Sequence, residues 1–378
     1  MTLLSPPATA PAPDFSSAVV PPIRVVSVIV PCRNELDFVE KFVESVIAQR
    51  LPSGVALEVL IADGRSDDGT REELERLARC NPSMRVIDNP RQTAAAGLNA
   101  AIRQAQGDVL IRMDLHTSYA PDYIFECLRA LDASGADNVG GPWVARGSGY
   151  VSEAIALAFS SLLVSGGGKA HSATHEGPVD TVYLGCWPRK TFERFGLFDE
   201  EFIRTQDSEH NLRIHLGGGM VWQAPSIRSW YTPRSSLTEL ARQYVQYGYW
   251  KAKILQKHKR LASPRQWAPG LLLVSLLASG VLSAFFDVAA IAALLLIATY
   301  LTALLAASVI LCAARARRRF MAVMPVVVAT YHLSFGCGFL RGFFDFVVRQ
   351  EEGNSKLSAL TRTSRPRPHR AGSGRVQA

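Results

Sequence analysis

Val25-Val26-Ser27-Val28-Ile29-Val30-Pro31-Cys32-Arg33-Asn34-Glu35 is the stretch on which the fold turns. A β-branched run of strand length breaks at a proline and passes into Arg33, Asn34 and Glu35, polar groups that a buried sheet cannot satisfy. Working outward, similar runs recur at Val55–Ala62, Met84–Asp88, Asp108–Met113 and Asn138–Val144. Helix-length amphipathic stretches separate them, among them Asp37–Gln49 and Asp68–Cys80. Strands alternating with helices predict an α/β domain whose mostly parallel sheet is covered on both faces. Ligands of such sheets bind beyond the carboxyl ends of the strands, so the residues just after each strand are the candidates for chemistry.

Those positions are unusually acidic. After the second run comes Asp63-Gly64-Arg65-Ser66-Asp67-Asp68-Gly69-Thr70, and the fourth ends in Arg112-Met113-Asp114-Leu115-His116. A single carboxylate at a loop edge reads as an Asx-turn or a helix cap, which suits Asp68 and also Asp67 and Asp122. Three successive strand ends of this kind point instead to a polar ligand. Asp114 and His116, two apart in a loop, suit a shared hard cation.

Charge is divided along the 378 residues. Residues 1–250 hold 23 basic and 29 acidic side chains, and residues 251–378 hold 18 and 4, so the formal +8 belongs to the last third. That distribution excludes a uniformly basic nucleic-acid-coating protein, and 48% hydrophobic with 20% charged residues excludes general disorder. Six scattered cysteines without a Cys-x-x-Cys read as reduced thiols, not as a disulfide framework or a zinc site. Neither Gly166–Gly168 nor Gly217–Gly219 fits a phosphate-cradling fingerprint, so both read as turns.

Between Ala268 and Ala314 the only charged residue is Asp287. This predicts two membrane spans, about Pro269–Phe286 and Val288–Ala313. Arg315, Arg317, Arg318 and Arg319 follow, which by the positive-inside rule places residues 1–265 on the cytoplasmic side. A third apolar stretch, Phe320–Val348, reads either as a third span or as a re-entrant segment, with the span preferred. Ser236–Leu261 reads as an amphipathic helix with Leu237, Leu240, Tyr244, Tyr247 and Trp250 on one face and a cluster of lysines suited to anionic lipid. The expected organisation is therefore a Pro/Ala-rich disordered tail (1–22), a catalytic domain (23–234), an interfacial helix (235–265), a membrane region of two or three helices (266–348) and a basic tail (349–378).

In order and spacing these motifs resemble the inverting family 2 glycosyltransferases of the GT-A fold, a Rossmann-like mixed sheet, and most of all their membrane-anchored exopolysaccharide branch. Val30-Pro31-Cys32-Arg33-Asn34-Glu35 matches the opening motif, Asp63-Gly64-x-Ser66-x-Asp68-Gly69-Thr70 the second, and Asp114-Leu115-His116 stands where the family has Asp-x-Asp. Thr205-Gln206-Asp207-Ser208-Glu209 is similar to the family's acidic helix start, and Gln246-Tyr247-Gly248-Tyr249-Trp250 to its Gln-x-x-Arg-Trp, with Tyr249 in place of the Arg of processive synthases.

The resemblance implies roles. Pro31, Arg33, Glu35, Asp63, Arg112, Asp114 and Gly185 would bind the nucleotide-sugar, and Asp114 and His116 a divalent cation, Mg²⁺ or Mn²⁺. Asp207 would be the general base, although spacing alone equally allows it to cap a helix while Glu209 pairs with Arg213. Trp187, Glu209, Arg213, Gln246 and Trp250 would contact acceptor or diphosphate, with a core position open for Trp187. The implied activity is a hexosyltransferase of the inner membrane, multi-pass, its catalytic domain in the cytoplasm. It would move glucose from UDP-glucose to a polyprenyl-diphosphate-linked glycan, with membrane lipids as further partners. A processive synthase and a catalytically silent scaffold subunit are the alternatives.

Overall fold

The computed structural model describes residues 23–351 except 162, 163, 165, 262, 315 and 316, and also Leu357. The two tails expected at 1–22 and 349–378 lie almost wholly outside the described residues.

Alternating strands and helices build the first half. Strands β1 (Val25–Cys32), β2 (Ala56–Asp63), β3 (Met84–Asp88) and β4 (Val109–Arg112) alternate with helices α1 (Leu36–Ile47), α2 (Thr70–Cys80) and α3 (Ala94–Gln104). β1 is buried along nearly its whole length, with Val26, Val28, Ile29 and Val30 fully covered, as a strand flanked on both faces by helices must be. After β5 (Thr117–Tyr119) and α4 (Tyr123–Ser134) come β6 (Asn138–Gly141), β7 (Val144–Ala145), α5 (Tyr150–Phe159), β8 (Gly177–Pro178) and β9 (Tyr183–Pro188). The domain closes with α6 (Arg189–Phe195), α7 (Gln206–Leu216), β10 (Val221–Gln223) and β11 (Ser229–Tyr231).

The main sheet has the order β3-β2-β1-β4-β9-β6-β10-β8, and β5-β11-β7 form a small second sheet. β3, β2, β1 and β4 run parallel, while β9 is antiparallel to both neighbours. The sheet is thus mixed, as the GT-A expectation has it. Register sets the site: Cys32 lies beside Asp63, Asp63 beside Asp88, and Ile29 beside Arg112. The polar residues after β1, β2 and β4 therefore emerge at one edge. Two cores, one on each face of the sheet, hold it rigid.

The C-terminal helices are α8 (Leu237–His258), α9 (Ala268–Leu282), α10 (Asp287–Ala314) and α11 (Met324–Gly342). α9 with the turn before it, and α10, are each long and apolar enough to cross a membrane. They turn apolar side chains outward: Leu277 is 64% exposed, Val281 66% and Val288 78%. In water such a surface would be costly, and lipid is the medium that removes the cost.

Two readings of this region are corrected. The stretch Phe320–Val348 becomes α11 and a π-turn (Phe343–Val348) packed along α8, and among the described residues only the two preceding helices meet the length and apolarity of a span. Val327, Val328, Tyr331 and Phe339 are buried in that packing. Backbones approach closely at Gly248, Gly338 and Gly342, where a Cβ would collide with the facing helix. Nor do the α8 lysines all face lipid. Lys253 pairs with Glu201 at 3.6 Å and Lys257 with Asp199, both carboxylates of the α/β domain.

Candidate active site

A cleft of about 1010 Å³ opens at the carboxyl edge of the parallel strands and runs to the C-terminal helices. Its sheet-side wall includes Pro31, Arg33, Glu35, Arg112, Asp114 and His116, which brings together most of the residues expected to hold a nucleotide-sugar.

Two loops make the first part of that wall. Asn34 adopts a left-handed φ of 52°, and its side chain accepts from Asp67 N–H at 3.0 Å while its own N–H donates to Ser66 Oγ at 2.9 Å. Glu35 N–H donates to Thr70 Oγ1 at 2.9 Å. The loops after β1 and β2 are thus stitched together, which frees Arg33 and Glu35 to face the cleft. Arg33 Nη1 donates to the carbonyls of Gly64 and Arg65. Asp63, expected to face the base, is only 2% exposed and does not line the cleft. Its carboxylate accepts Ser66 Oγ–H at 2.6 Å and faces Arg71 at 3.8 Å. Asp63 shapes the loop, and Asp68 likewise ties down Thr70.

The second part centres on Asp114. Arg112 grips it in a fork, Nε to Oδ1 at 2.9 Å and Nη2 to Oδ2 at 3.0 Å, with both side chains nearly buried. Burial opposes the Arg112 charge, but Asp114 and then Asp207 outweigh it and hold the guanidinium more firmly protonated than usual. The Asp114 backbone is pinned by Tyr119, whose hydroxyl receives its N–H at 2.6 Å and donates to its carbonyl at 3.0 Å. Burial, then the Asp114 charge, raises the Tyr119 and Tyr183 phenols well above their ordinary value, so both remain protonated. His116 places Nδ1 3.3 Å from Glu35 Oε2. Among the described residues no three His, Cys, Asp or Glu side chains are grouped as a metal cage.

Opposite stands the start of α7. Thr205 is held at φ 61° and turns the chain so that Gln206 and Asp207 enter the cleft. Asp207 Oδ1 accepts Ser208 N–H at 2.7 Å, so it serves the helix end and still lines the cleft. Asp207 stands in the first turn of α7 and not at its cap position, which Thr205 occupies. Its charge is felt by Arg112 on one side and by Lys251 of α8 on the other.

Six expected contacts fall elsewhere. Trp187 is 1% exposed and packs among Phe192, Phe198 and His210 in the core. Gly185, with φ +121°, makes its close backbone approach to the Trp187 ring, since a Cβ there would strike the indole. Glu209 is fully buried, bonded to Arg213 at 2.8 and 2.9 Å and to His258 Nε2 at 2.9 Å, a clasp between α7 and α8. Arg213 spends its remaining donors on the carbonyls of Phe195 and Leu197. Gln246 and Trp250 are buried on the α8 face that packs away from the cleft. Tyr249, where processive synthases carry Arg, donates to Asp345 Oδ2 at 3.0 Å and is fully buried, out of reach of any diphosphate.

Some lining residues carried no motif. Asn89, Gln92 and Thr93 come from the loop between β3 and α3, at the same sheet edge, and only strand order could have pointed to them. Trp143 stacks on Tyr183, with centroids 5.1 Å apart and planes 8° from parallel, and on His171 at 5.7 Å. Burial lowers His171 to about 4, with Arg265 adding to the effect, so this aromatic stack is uncharged at neutral pH.

The model of glycosyl transferase family 2 matches residues 27–184, the span that carries the sheet-side wall. The succinoglycan biosynthesis protein ExoA of Rhizobium meliloti (strain 1021) is 30% identical over 321 residues, 84% of this chain and 95% of that protein. A dolichyl N-acetyl-alpha-D-glucosaminyl phosphate 3-beta-D-2,3-diacetamido-2,3-dideoxy-beta-D-glucuronosyltransferase of Methanococcus voltae is 27% identical over 242 residues, 62% of this chain and 75% of that protein. Among solved structures, the mannosyltransferase PcManGT from Pyrobaculum calidifontis, in complex with GDP-Man and Mn²⁺, matches with a TM-score of 0.53 at 20% identity. That match covers 83% of this chain and 87% of the other, and it shows a shared fold.

Proposed function

The chain belongs to glycosyl transferase family 2, and we propose that it moves a hexose, glucose from UDP-glucose, onto a lipid-linked saccharide at the cytoplasmic membrane face during exopolysaccharide or other surface-glycan synthesis. The observation that carries this reading is the presence of Asp114 and Asp207, both acting on Arg112, in one cleft that also reaches the apolar helices. The names of the two relatives, one a succinoglycan biosynthesis protein and one a transferase acting on a dolichyl phosphate sugar, support the glycan and lipid parts. α9 and α10 would anchor the enzyme as two spans, with the catalytic domain in the cytoplasm.

The donor's diphosphate would enter at the sheet-side wall with a divalent ion. Asp114 offers carboxylate oxygens and His116 a ring nitrogen, a donor set that fits an ion arriving with phosphates, since such ions keep one or two carboxylates and take their other ligands from the substrate. When bound, the ion supplies charge to the departing nucleoside diphosphate. Arg112 holds Asp114 in place and adds positive charge beside it. Asp207 accepts the proton of the acceptor hydroxyl as that oxygen attacks the anomeric carbon. The bond from that carbon to the diphosphate breaks on the opposite side, and one displacement inverts the configuration. Because Asp207 also receives Ser208 N–H, its carboxylate is aimed before the acceptor arrives.

Asp207→Asn tests this assignment. The amide keeps the shape and loses the base, so transfer to acceptor should fall by roughly 10²–10⁴-fold while donor binding holds. Turnover retained within about tenfold removes Asp207 from the proton transfer.

A further inference from the structure

Asp207 is the second residue of α7, just past the backbone reversal at Thr205, and it goes wherever that helix end goes. Residues 196–205, which lead from α6 to that end, are gripped by two elements. The first is α3 with the loop before it. Asn99 Nδ2 donates to the Phe198 carbonyl at 2.8 Å, the Phe198 N–H returns to Asn99 Oδ1 at 3.0 Å, and Arg91 and Arg103 pair with Glu200. The second is α8. Lys257 pairs with Asp199 and Lys253 with Glu201, and the fully buried Phe202 packs with its ring centroid 6.2 Å from that of Trp250.

One further hold is on α7 itself. Glu209 is fully buried, and Arg213 of the same helix already meets its charge with a two-pronged contact at 2.8 and 2.9 Å. His258, in the last turn of α8, brings Nε2 to 2.9 Å from the same Oε1. A carboxylate only accepts, so Nε2 carries the proton. For balancing the Glu209 charge the Arg213 pair would suffice. What the His258 contact adds is a tie between the first turn of α7 and a helix 49 residues away in sequence. That turn needs one, because Thr205 sits at φ 61° with its buried Oγ1 unpartnered, and a position of that kind persists only where its surroundings hold it.

We propose that His258 is a positioning residue for the base: through Glu209 it locks the first turn of α7 against α8 and so aims Asp207 at the acceptor hydroxyl. This rests on the reading of Asp207 as the base and extends it by making the placement of that base depend on α8. A base works only within about 2.6–3.2 Å of its proton, and a misplacement of about 1 Å can cost about 10²-fold in rate. Arg112 and Asp114 owe their place to β4 and the sheet, so the two walls of the cleft have separate supports. Loosening the clasp therefore stops proton transfer and leaves the donor bound. Because α8 leads through the turn Pro264–Trp267 into α9, the base is tied to the element that joins the α/β domain to the apolar helices.

The test uses the full chain in detergent, with UDP-glucose as donor and a lipid extract of the source cells as acceptor. Release of UDP gives kcat and donor KM, and UDP binding with Mn²⁺ gives the folded fraction. His258→Phe keeps a ring and removes the N–H, so kcat should fall about tenfold or more while donor KM and UDP affinity stay within about twofold. His258→Gln, whose amide nitrogen reaches the place of Nε2, should recover kcat to within about threefold. His258→Asn is one bond shorter and should not; it also replaces His258→Phe if that variant does not fold. In an Asp207→Asn background His258→Phe should cost nothing more, since the base it aims is gone. Unchanged kcat in His258→Phe overturns the proposal, as does a parallel loss of UDP affinity, or the full loss repeated in the Asp207→Asn background. Turnover absent in the wild type, or kept by Asp207→Asn alone, sinks the transferase or base reading itself and the proposal with it, so the two kinds of failure are told apart.

Discussion

On the sheet-side wall of the cleft, Glu35, Arg112 and Asp114 sit at or just past strand ends; on the opposite wall Gln243, Tyr247 and Lys251 stand on one face of α8. The first set is aimed by register. Parallel pairing brings the ends of β1, β2 and β4 to one edge, and whatever follows them shares that edge. The second set is aimed by rotation, about 100° for each residue of helix. Tyr247 and Lys251, four apart, therefore look into the cleft, while Gln246 and Trp250, each one residue earlier, look into the protein. A motif at a strand end survives an error of one residue; a motif on a helix does not.

The contrast is sharpest at Asp114. Asp114→Asn keeps the size of the side chain but removes the charge that Arg112 grips from both sides. Transfer should drop by roughly 10³-fold or more, because on the proposed reading the carboxylate that would hold the divalent ion at the leaving diphosphate is lost. Stability should fall by about 3–5 kcal/mol, the usual cost of leaving a buried ion without its partner. Initial rates and urea midpoints on the same preparation measure both. A stable, active variant would show that this wall is a scaffold, and would erase the difference between the two walls.

Trp250 tests the other side. If its face is structural, Trp250→Ala should cost about 3–5 kcal/mol through the cavity left among Phe202, Tyr249 and Phe346. The KM for donor, corrected for folded fraction, should stay within about twofold. A donor KM raised about tenfold at unchanged stability would return Trp250 to the site and reverse the assignment of the two faces.

Much of the sheet-side wall was legible for this reason. The β-branched runs marked β1 to β4, and Pro31, Arg33, Glu35, Arg112, Asp114 and His116 line the cleft where strand ends predict. Asp63 shows the limit even there: it follows the same rule of position, yet Ser66 and Arg71 turn its carboxylate into the loop. Residues read as acceptor contacts failed together. Trp187, Glu209, Arg213, Gln246 and Trp250 are the kinds of side chain that bind sugars and phosphates, and equally the kinds that fill cores and clasp helices. Which use is made of them depends on what packs opposite. For Glu209 that partner is His258, 49 residues away. For Gln246 and Trp250 it is the layer formed with α11 and the π-turn, a stretch whose composition suggested lipid. Apolar residues with a pattern suited to a bilayer also suit a buried helix, and only the partner distinguishes them.

That layer gives the finest test. At Gly248 the α8 backbone meets α11 so closely that a Cβ would run into the carbonyl of Phe335 and sit 2.8 Å from the N–H of Phe339. Both neighbours are backbone, so neither can swing aside as a side chain would. Gly248→Ala must then push the helices apart, at a cost of about 1–3 kcal/mol. In an isolated helix the same change would stabilise by up to about 1 kcal/mol, since alanine is the better helix former. The sign of the effect therefore reports the packing directly. Destabilisation would confirm that one face of α8 packs against α11 while the other, with Tyr247 and Lys251, lines the cleft. Stabilisation would mean that α8 and α11 are not in contact in solution, and that this face of α8 is not packed against the protein.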